Sequence, residues 1–125
     1  MKRIIATENA PKAVAAYSQA VEMNGTLFIS GQVPLDPVTG KLVDGGIEEQ
    51  TLQVMKNIGA ILEAAGYSYS DVVKSTCFLS DIANFKAMND VYAQFYTENR
   101  PARSAFAVKD LPLDALVEIE TIAMK

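Results

Sequence analysis

Ile47-Glu-Glu-Gln-Thr-Leu-Gln-Val-Met-Lys-Asn-Ile-Gly-Ala-Ile-Leu-Glu-Ala-Ala-Gly66, with Val72-Val-Lys-Ser-Thr-Cys-Phe-Leu-Ser80 close behind it, decides the class of fold. In the first segment Val54, Ile58, Ile61, Leu62 and Ala65 recur at helical spacing, Glu48 and Glu49 fall in the first turn, and Gly66 suits a C-terminal cap. The spacing predicts an amphipathic helix from about Ile47 to Ala65. In the second segment Val73, Ser75, Cys77 and Leu79 alternate against Val72, Lys74, Thr76 and Phe78, and the β-branched content favours a strand, with Cys77 packed inside it. A helix feeding a strand in this way belongs to a layered mixture of helix and sheet.

Working outward, Arg3 to Ala6 reads as a short strand, and Ala20–Met23 with Thr26–Ser30 reads as a hairpin around Asn24-Gly25. Gly31-Gln-Val-Pro-Leu-Asp-Pro-Val-Thr-Gly-Lys41 carries two prolines and two glycines, so a loop with a tight Asp36-Pro-Val-Thr-Gly turn is expected there and no strand. Downstream, Ser80 or Asp81 can cap a second helix, on which Phe85, Met88, Tyr92, Phe95 and Tyr96 form one apolar stripe. Pro101 ends it, and Ala102–Lys109 and Leu116–Met124 read as alternating strands joined by Asp110-Leu-Pro-Leu-Asp. The expected order is β, β, β, α, β, α, β, β. That is an α+β fold: one mixed or antiparallel sheet with both helices packed on one face. The other face, carrying Leu116, Glu118, Glu120, Ile122 and Met124 on the last strand, is too apolar for open solvent and too charged for a core, which points to oligomerisation around polar clefts.

Composition narrows the function. The 125 residues suit a single domain, 1–125, with one core. With 11 basic against 15 acidic residues the net charge is −4, and the basic residues are scattered, so no nucleic-acid partner is expected. One cysteine excludes an internal disulfide and suits a reducing cytosol; without a signal-peptide pattern or a membrane span the reading is a cytoplasmic protein with no membrane partner. Asn24-Gly-Thr reads as a turn rather than a glycosylation site. The absence of histidine removes the usual general base, the usual metal ligand and the Ser-His-Asp triad together. No metal site is expected, since Glu48 and Glu49 are adjacent on a helix and do not face one another. Any catalysis must use Glu, Asp, Arg, Lys, Tyr or Ser.

Two segments could carry chemistry. Pro101-Ala-Arg-Ser-Ala-Phe-Ala places Arg103 at the start of a strand beside the small Ala105 and Ala107, room enough for a forked cation to clasp a carboxylate; a solvated edge arginine fits the same pattern. Val117-Glu-Ile-Glu-Thr-Ile puts Glu118 and Glu120 on one face, as any half-exposed strand would. If the last two strands form a hairpin whose paired numbers sum to about 225, Arg103 and Glu118 share a face with roughly 13 Å between them, and an extended substrate or a neighbouring subunit must bridge the gap. A slip of one residue would separate them.

Thr7-Glu-Asn-Ala-Pro, Tyr17, Phe28-Ile-Ser-Gly-Gln-Val-Pro with Thr39-Gly, Asn57-Ile, Ala64-Ala-Gly, Asn89 with Tyr92, Pro101-Ala-Arg-Ser and Glu118-Ile-Glu occur in the order and spacing of one family's signature. On these motifs, which span nearly the whole chain, the sequence resembles the reactive intermediate deaminases (RidA, YjgF-like). The resemblance implies a chorismate mutase-like fold, a homotrimer around a central barrel, and clefts between subunits. It also implies hydrolysis of 2-aminoacrylate, 2-iminopropanoate or 2-iminobutanoate to a 2-oxo acid and ammonia, without metal or other cofactor. By the same resemblance Arg103 would hold the substrate carboxylate and Glu118 would activate water, with Tyr17, Ser30, Gly31, Asn89 and Ala105 lining the cleft. Family members have also been reported as chaperone-like or as RNA-cleaving inhibitors of translation, which is the alternative reading. The chain departs from the pattern at Ala15-Ala16, where relatives commonly have Gly-Pro, and at Ala105, where they have a cysteine; both leave the substrate range open.

Overall fold

The computed structural model describes residues 1–125. Its elements are β1 (Arg3–Ile5), β2 (Ala20–Met23), β3 (Thr26–Gln32), α1 (Ile47–Ala65), β4 (Val72–Leu79), α2 (Phe85–Tyr92), β5 (Ala102–Ala107) and β6 (Val117–Met124). They follow the expected order. The strands make one six-stranded sheet, β1-β2-β3-β6-β4-β5, antiparallel throughout except for the parallel pair β4 and β5. No helix is long and apolar enough to cross a membrane.

One expectation fails here. β5 and β6 do not form a hairpin, because β4 lies between them. The segment β4–α2–β5 is a parallel crossover, in which the intervening helix lets β5 return beside β4 in the same direction, and the connection after β5 then passes β4 to reach the middle of the sheet.

α1 forms where its apolar spacing demands. The Glu49 carboxylate accepts a hydrogen bond from the Gly46 amide at 2.8 Å, which closes the first turn. At the other end Gly66 adopts φ 83°, and two distant cations reach the last carbonyls: Arg3 Nη2 donates to Ala65 O at 3.0 Å and Lys125 Nζ to Gly66 O at 2.8 Å. Both chain ends are thereby tied to the negative pole of the helix. Val54, Ile58, Ile61 and Leu62 bury against Leu27, Ile119, Val117 and Ala123, at about 1.5–3 kcal/mol for each large side chain taken from water.

Irregularities account for the remaining differences from expectation. A bulge between Val72 and Lys74 turns Val72 into the core and leaves Val73 exposed, so Val72 heads the buried row Ser75, Cys77, Leu79. α2 stops at Tyr92 instead of continuing through Tyr96, because Gln94 N bonds to Val91 O and Phe95 N to Tyr92 O, a tightening to three-residue turns. Tyr96 still buries against Tyr92, with ring centroids 4.8 Å apart. Asp81 caps a short 3-10 turn, Ile82–Asn84, by accepting from Ala83 N at 2.9 Å.

Gly59 offers a test of the packing. An alanine inside a helix normally stabilises by about 1 kcal/mol relative to glycine. Here a methyl group would meet the Tyr69 hydroxyl, which is held by a 2.6 Å bond to Met55 O. Gly59→Ala is therefore expected to destabilise by about 1–3 kcal/mol, read as a lowered urea midpoint; a raised midpoint would show that Tyr69 is not fixed there.

Candidate active site

β6 carries Glu118 in the centre of the sheet, flanked by β3 and β4. Across from it β3 is irregular: Ile29 pairs with Thr121 but Gln32 with Ile119, so one extra residue is accommodated at Ser30-Gly31. This is why β3 continues past Ser30, where a loop is expected from the sequence. The bulge keeps both Ile29 and Gln32 on the buried face and brings the Gly31 backbone against Glu118. A Cβ at position 31 would collide with Glu118 Oε2, so only glycine lets the carboxylate lie where it does. Ser30 ties in the next segment: its Oγ donates to Ser18 O at 2.6 Å and its amide to Gln19 O at 3.0 Å. Gln19 in turn holds the loop before β2, accepting from Thr7 N and donating to Thr7 O and Pro11 O. Tyr17, half-exposed, projects beside this segment into a hollow of about 430 Å3 lined also by Thr7, Lys12 and Ser18.

Burial holds the Glu118 carboxyl above the usual carboxylate range, and the Glu120 charge two residues along the same face raises it further. Glu120 itself borders a shallow hollow of about 230 Å3 with Phe28, Lys74, Thr76 and Ile122.

Arg103 lies elsewhere. It sits on the edge strand β5, aligned with Ser75 on β4, which is aligned with Thr121 on β6. Ser75 and Thr121 are buried under the helices, so Arg103 points to the helix-covered face. There its Nη1 donates to Asn89 Oδ1 at 2.7 Å, and its Cζ stands 4.8 Å from the Tyr92 ring centroid and 5.3 Å from that of Phe85. Ala105 follows on the same face, level with Cys77. Burial pushes the Cys77 thiol up to about 11, against a smaller lowering effect of Arg103.

Glu118, three residues from Thr121, points to the opposite face. Two strand spacings of about 4.8 Å and three residues at about 3.3 Å put its Cα roughly 14 Å from that of Arg103, with the sheet between the side chains. The expectation that Arg103 and Glu118 share a face is thus corrected. It depended on direct β5–β6 pairing, and inserting β4 changes the register. The chain brings together Ser30, Gly31 and Glu118, with Tyr17 nearby in the segment Ser30 anchors, and separately Arg103, Asn89 and Ala105. Sequence reasoning assigns Phe85 and Tyr92 to a core stripe; their service to Arg103 is signalled by Asn89 standing between them at i+4 and i+7 spacing.

These features define a class: a small α+β domain presenting a caged cation on one sheet face and a desolvated carboxylate on the other. The chain belongs to the YjgF/RidA family, whose family model, described as Endoribonuclease L-PSP, matches residues 7–125. It is 55% identical over 125 residues to a RutC family protein of Pyrococcus horikoshii, covering 100% of this chain and 99% of the relative. It is 49% identical over 125 residues to the 2-iminobutanoate/2-iminopropanoate deaminase of Capra hircus, covering 100% and 91%. The crystal structure of E. coli TdcF with bound serine superposes with a TM-score of 0.94 at 38% identity, covering 98% of each chain. At the family level this supports deamination of imines or enamines.

Gly31→Ala separates site from scaffold. The obstructing atom is the end of a flexible side chain, so the fold should lose about 1 kcal/mol or less while the Glu118 carboxylate is displaced. Carboxyl-carbon NMR titration should show the Glu118 pKa changed at nearly constant thermal midpoint; an unchanged titration would mean that Gly31 does not shape the site.

Proposed function

We propose that this protein hydrolyses small carboxylate-bearing imines and enamines, such as 2-aminoacrylate, 2-iminopropanoate and 2-iminobutanoate, to 2-oxo acids and ammonia. Arg103 anchors the substrate carboxylate and Glu118 serves as base toward water. The observation that carries the reading is the environment of Glu118: half-buried beneath the close-approaching Gly31 backbone, beside a second carboxylate, and raised in pKa, the direction that makes a carboxylate a stronger base. Serine bound to TdcF is itself a small amino acid carrying a carboxylate, which accords with such a ligand.

In the reaction the imine carbon is already electrophilic. Glu118 takes a proton from water as the oxygen bonds to that carbon and returns it to nitrogen, giving a carbinolamine; it then takes the hydroxyl proton as the carbonyl forms and delivers it to the amino nitrogen, so that the C–N bond breaks and ammonia leaves with the electron pair. No metal or other cofactor enters this route. Because Arg103 and Glu118 occupy opposite faces of one sheet, the active unit is an assembly, a homotrimer on the family pattern, in which one copy brings its β5 edge to the open face of the next. Phe28, Phe106 and Met124, exposed on that face, suit burial against another copy. The family description as an endoribonuclease is less well supported here: a chain of net charge −4 offers RNA little attraction.

When a dehydratase generates 2-iminobutanoate in situ, the purified protein should accelerate ammonia release. Arg103→Ala and Glu118→Gln should each lose activity by about 100-fold or more while remaining folded. Co-refolding the two inactive variants should restore about a quarter of native activity by random pairing of subunits. No recovery would sink the shared site, and an unaccelerated native reaction would sink the deaminase itself.

The acid limb of the kcat/KM profile should report Glu118, because only its ionised form accepts a proton. A raised pKa means the proton is held more tightly, so this limb should lie above the ordinary Glu range. Glu120→Gln removes a repelling charge, eases ionisation and should move the limb to lower pH, by part of the shift only since burial is the larger cause. A limb that lies within the ordinary Glu range, and stays there in Glu120→Gln, would exclude a raised Glu118 as the titrating base.

A further inference from the structure

Arg103 carries a full charge without any acidic partner. The ion pairs of the chain are Arg3–Glu22 and Lys86–Asp90, and neither involves it. Asp90, next in sequence to Asn89, is committed to Lys86 at 3.1 Å on the solvent side of α2. Every group that holds the guanidinium is neutral: the Asn89 amide oxygen, the faces of Phe85 and Tyr92, and beneath it on the sheet its aligned neighbour Ser75. Cys77, one step further along β4, stays a neutral thiol because burial outweighs the pull of Arg103.

This arrangement has a chemical consequence. A guanidinium held by Asp or Glu is oriented but also neutralised, and any incoming carboxylate must compete with the resident one. Aromatic faces attract a cation through their quadrupole and an amide oxygen accepts one N–H, so both orient the fork without cancelling its charge. Asn89 engages one Nη1 donor, which leaves the remaining N–H groups for a ligand. Phe85 and Tyr92 are the first and last residues of α2, so two turns of one helix supply ring, amide and ring in a row. Tyr92 is in turn packed against Tyr96, and its buried hydroxyl makes no hydrogen bond, as is true of the Ser75 and Tyr96 hydroxyls near it; the ring, not the hydroxyl, is what Tyr92 offers.

We infer that Phe85, Asn89 and Tyr92 are positioning residues, a charge-free cradle that orients Arg103 for a carboxylate while leaving its charge unspent. Asn89 thus acts through Arg103 and not as a direct ligand of the substrate. The inference rests on the reading of Arg103 as the carboxylate anchor and adds what keeps that anchor available.

Asn89→Asp is the decisive variant, because it keeps the shape and supplies the missing counter-ion. Calorimetric binding of 2-oxobutanoate to the full-length protein at neutral pH should weaken about tenfold, while the urea midpoint stays level or rises. A merely structural Asn89 would instead lower the midpoint, and a direct ligand would weaken binding without moving the Arg103 side-chain N–H NMR signals of the free protein, which the cradle predicts to shift in Asn89→Asp. Phe85→Leu, at a half-buried position that tolerates the change, should weaken binding about threefold to tenfold and should reduce the ring-current displacement of the Arg103 side-chain N–H NMR signals, the Tyr92 ring keeping its own share. Tyr92→Phe keeps the ring and should restore what Tyr92→Leu loses. Native binding that disappears in Arg103→Ala but is unaffected by Asn89→Asp would overturn the cradle alone. Native protein that does not bind 2-oxobutanoate, or that binds equally as Arg103→Ala, would overturn the anchor reading and the cradle with it.

Discussion

β6 is paired on both edges, to β3 and to β4, and its alternation divides the molecule. Val117, Ile119, Thr121 and Ala123 are buried beneath the helices, while Glu118, Glu120, Ile122 and Met124 face the other way. A strand held by two ladders and a packed core cannot slip by one residue without moving four buried side chains into the open. The position of Glu118 is therefore set by the apolar residues on either side of it, long before any question of chemistry arises. The same ladders carry that register outward: Thr121 fixes Ser75, and Ser75 fixes Arg103 on the edge.

The bulge at Ser30-Gly31 is the local adjustment this register demands. β3 must keep Leu27, Ile29 and Gln32 on the buried face, which a strict alternation from 29 to 32 does not allow. One extra residue solves the phase problem, and placing it at a glycine opens the space that Glu118 fills. Packing and site are thus one arrangement. The carboxylate is desolvated because the backbone comes so close, and the backbone comes so close because the core needs the phase change.

Much of this was legible in the sequence. The α1 boundaries, the Asn24-Gly25 turn and the buried Cys77 follow from periodicity and turn chemistry, which act locally. Strand neighbours do not. Treating the last two strands as a hairpin follows the usual preference for sequential pairing, yet the run β4–α2–β5 already carries the mark of a parallel crossover, a strand, an amphipathic helix and another strand. Taking that mark seriously places β5 beside β4 and obliges the final strand to find its partners elsewhere. The bulges at Val72 and at Ser30-Gly31 were not legible, since each reconciles two neighbouring strands and has no meaning in one strand alone. Arg103, Asn89 and Glu118 were found by family signature; their division between two faces came only from topology.

That division carries the argument about mechanism further than proximity would have done. A cation and a carboxylate on the same face of one chain would tend to pair, and a paired Arg103 and Glu118 would have the wrong properties for their proposed work: the base would be acidified and the anchor neutralised. With the sheet between them, burial and Glu120 can raise the pKa of Glu118 while two rings and an amide hold Arg103 uncompensated. In the shared site proposed above, the two would meet only across a junction between copies, where the substrate carboxylate and the attacking water lie between them.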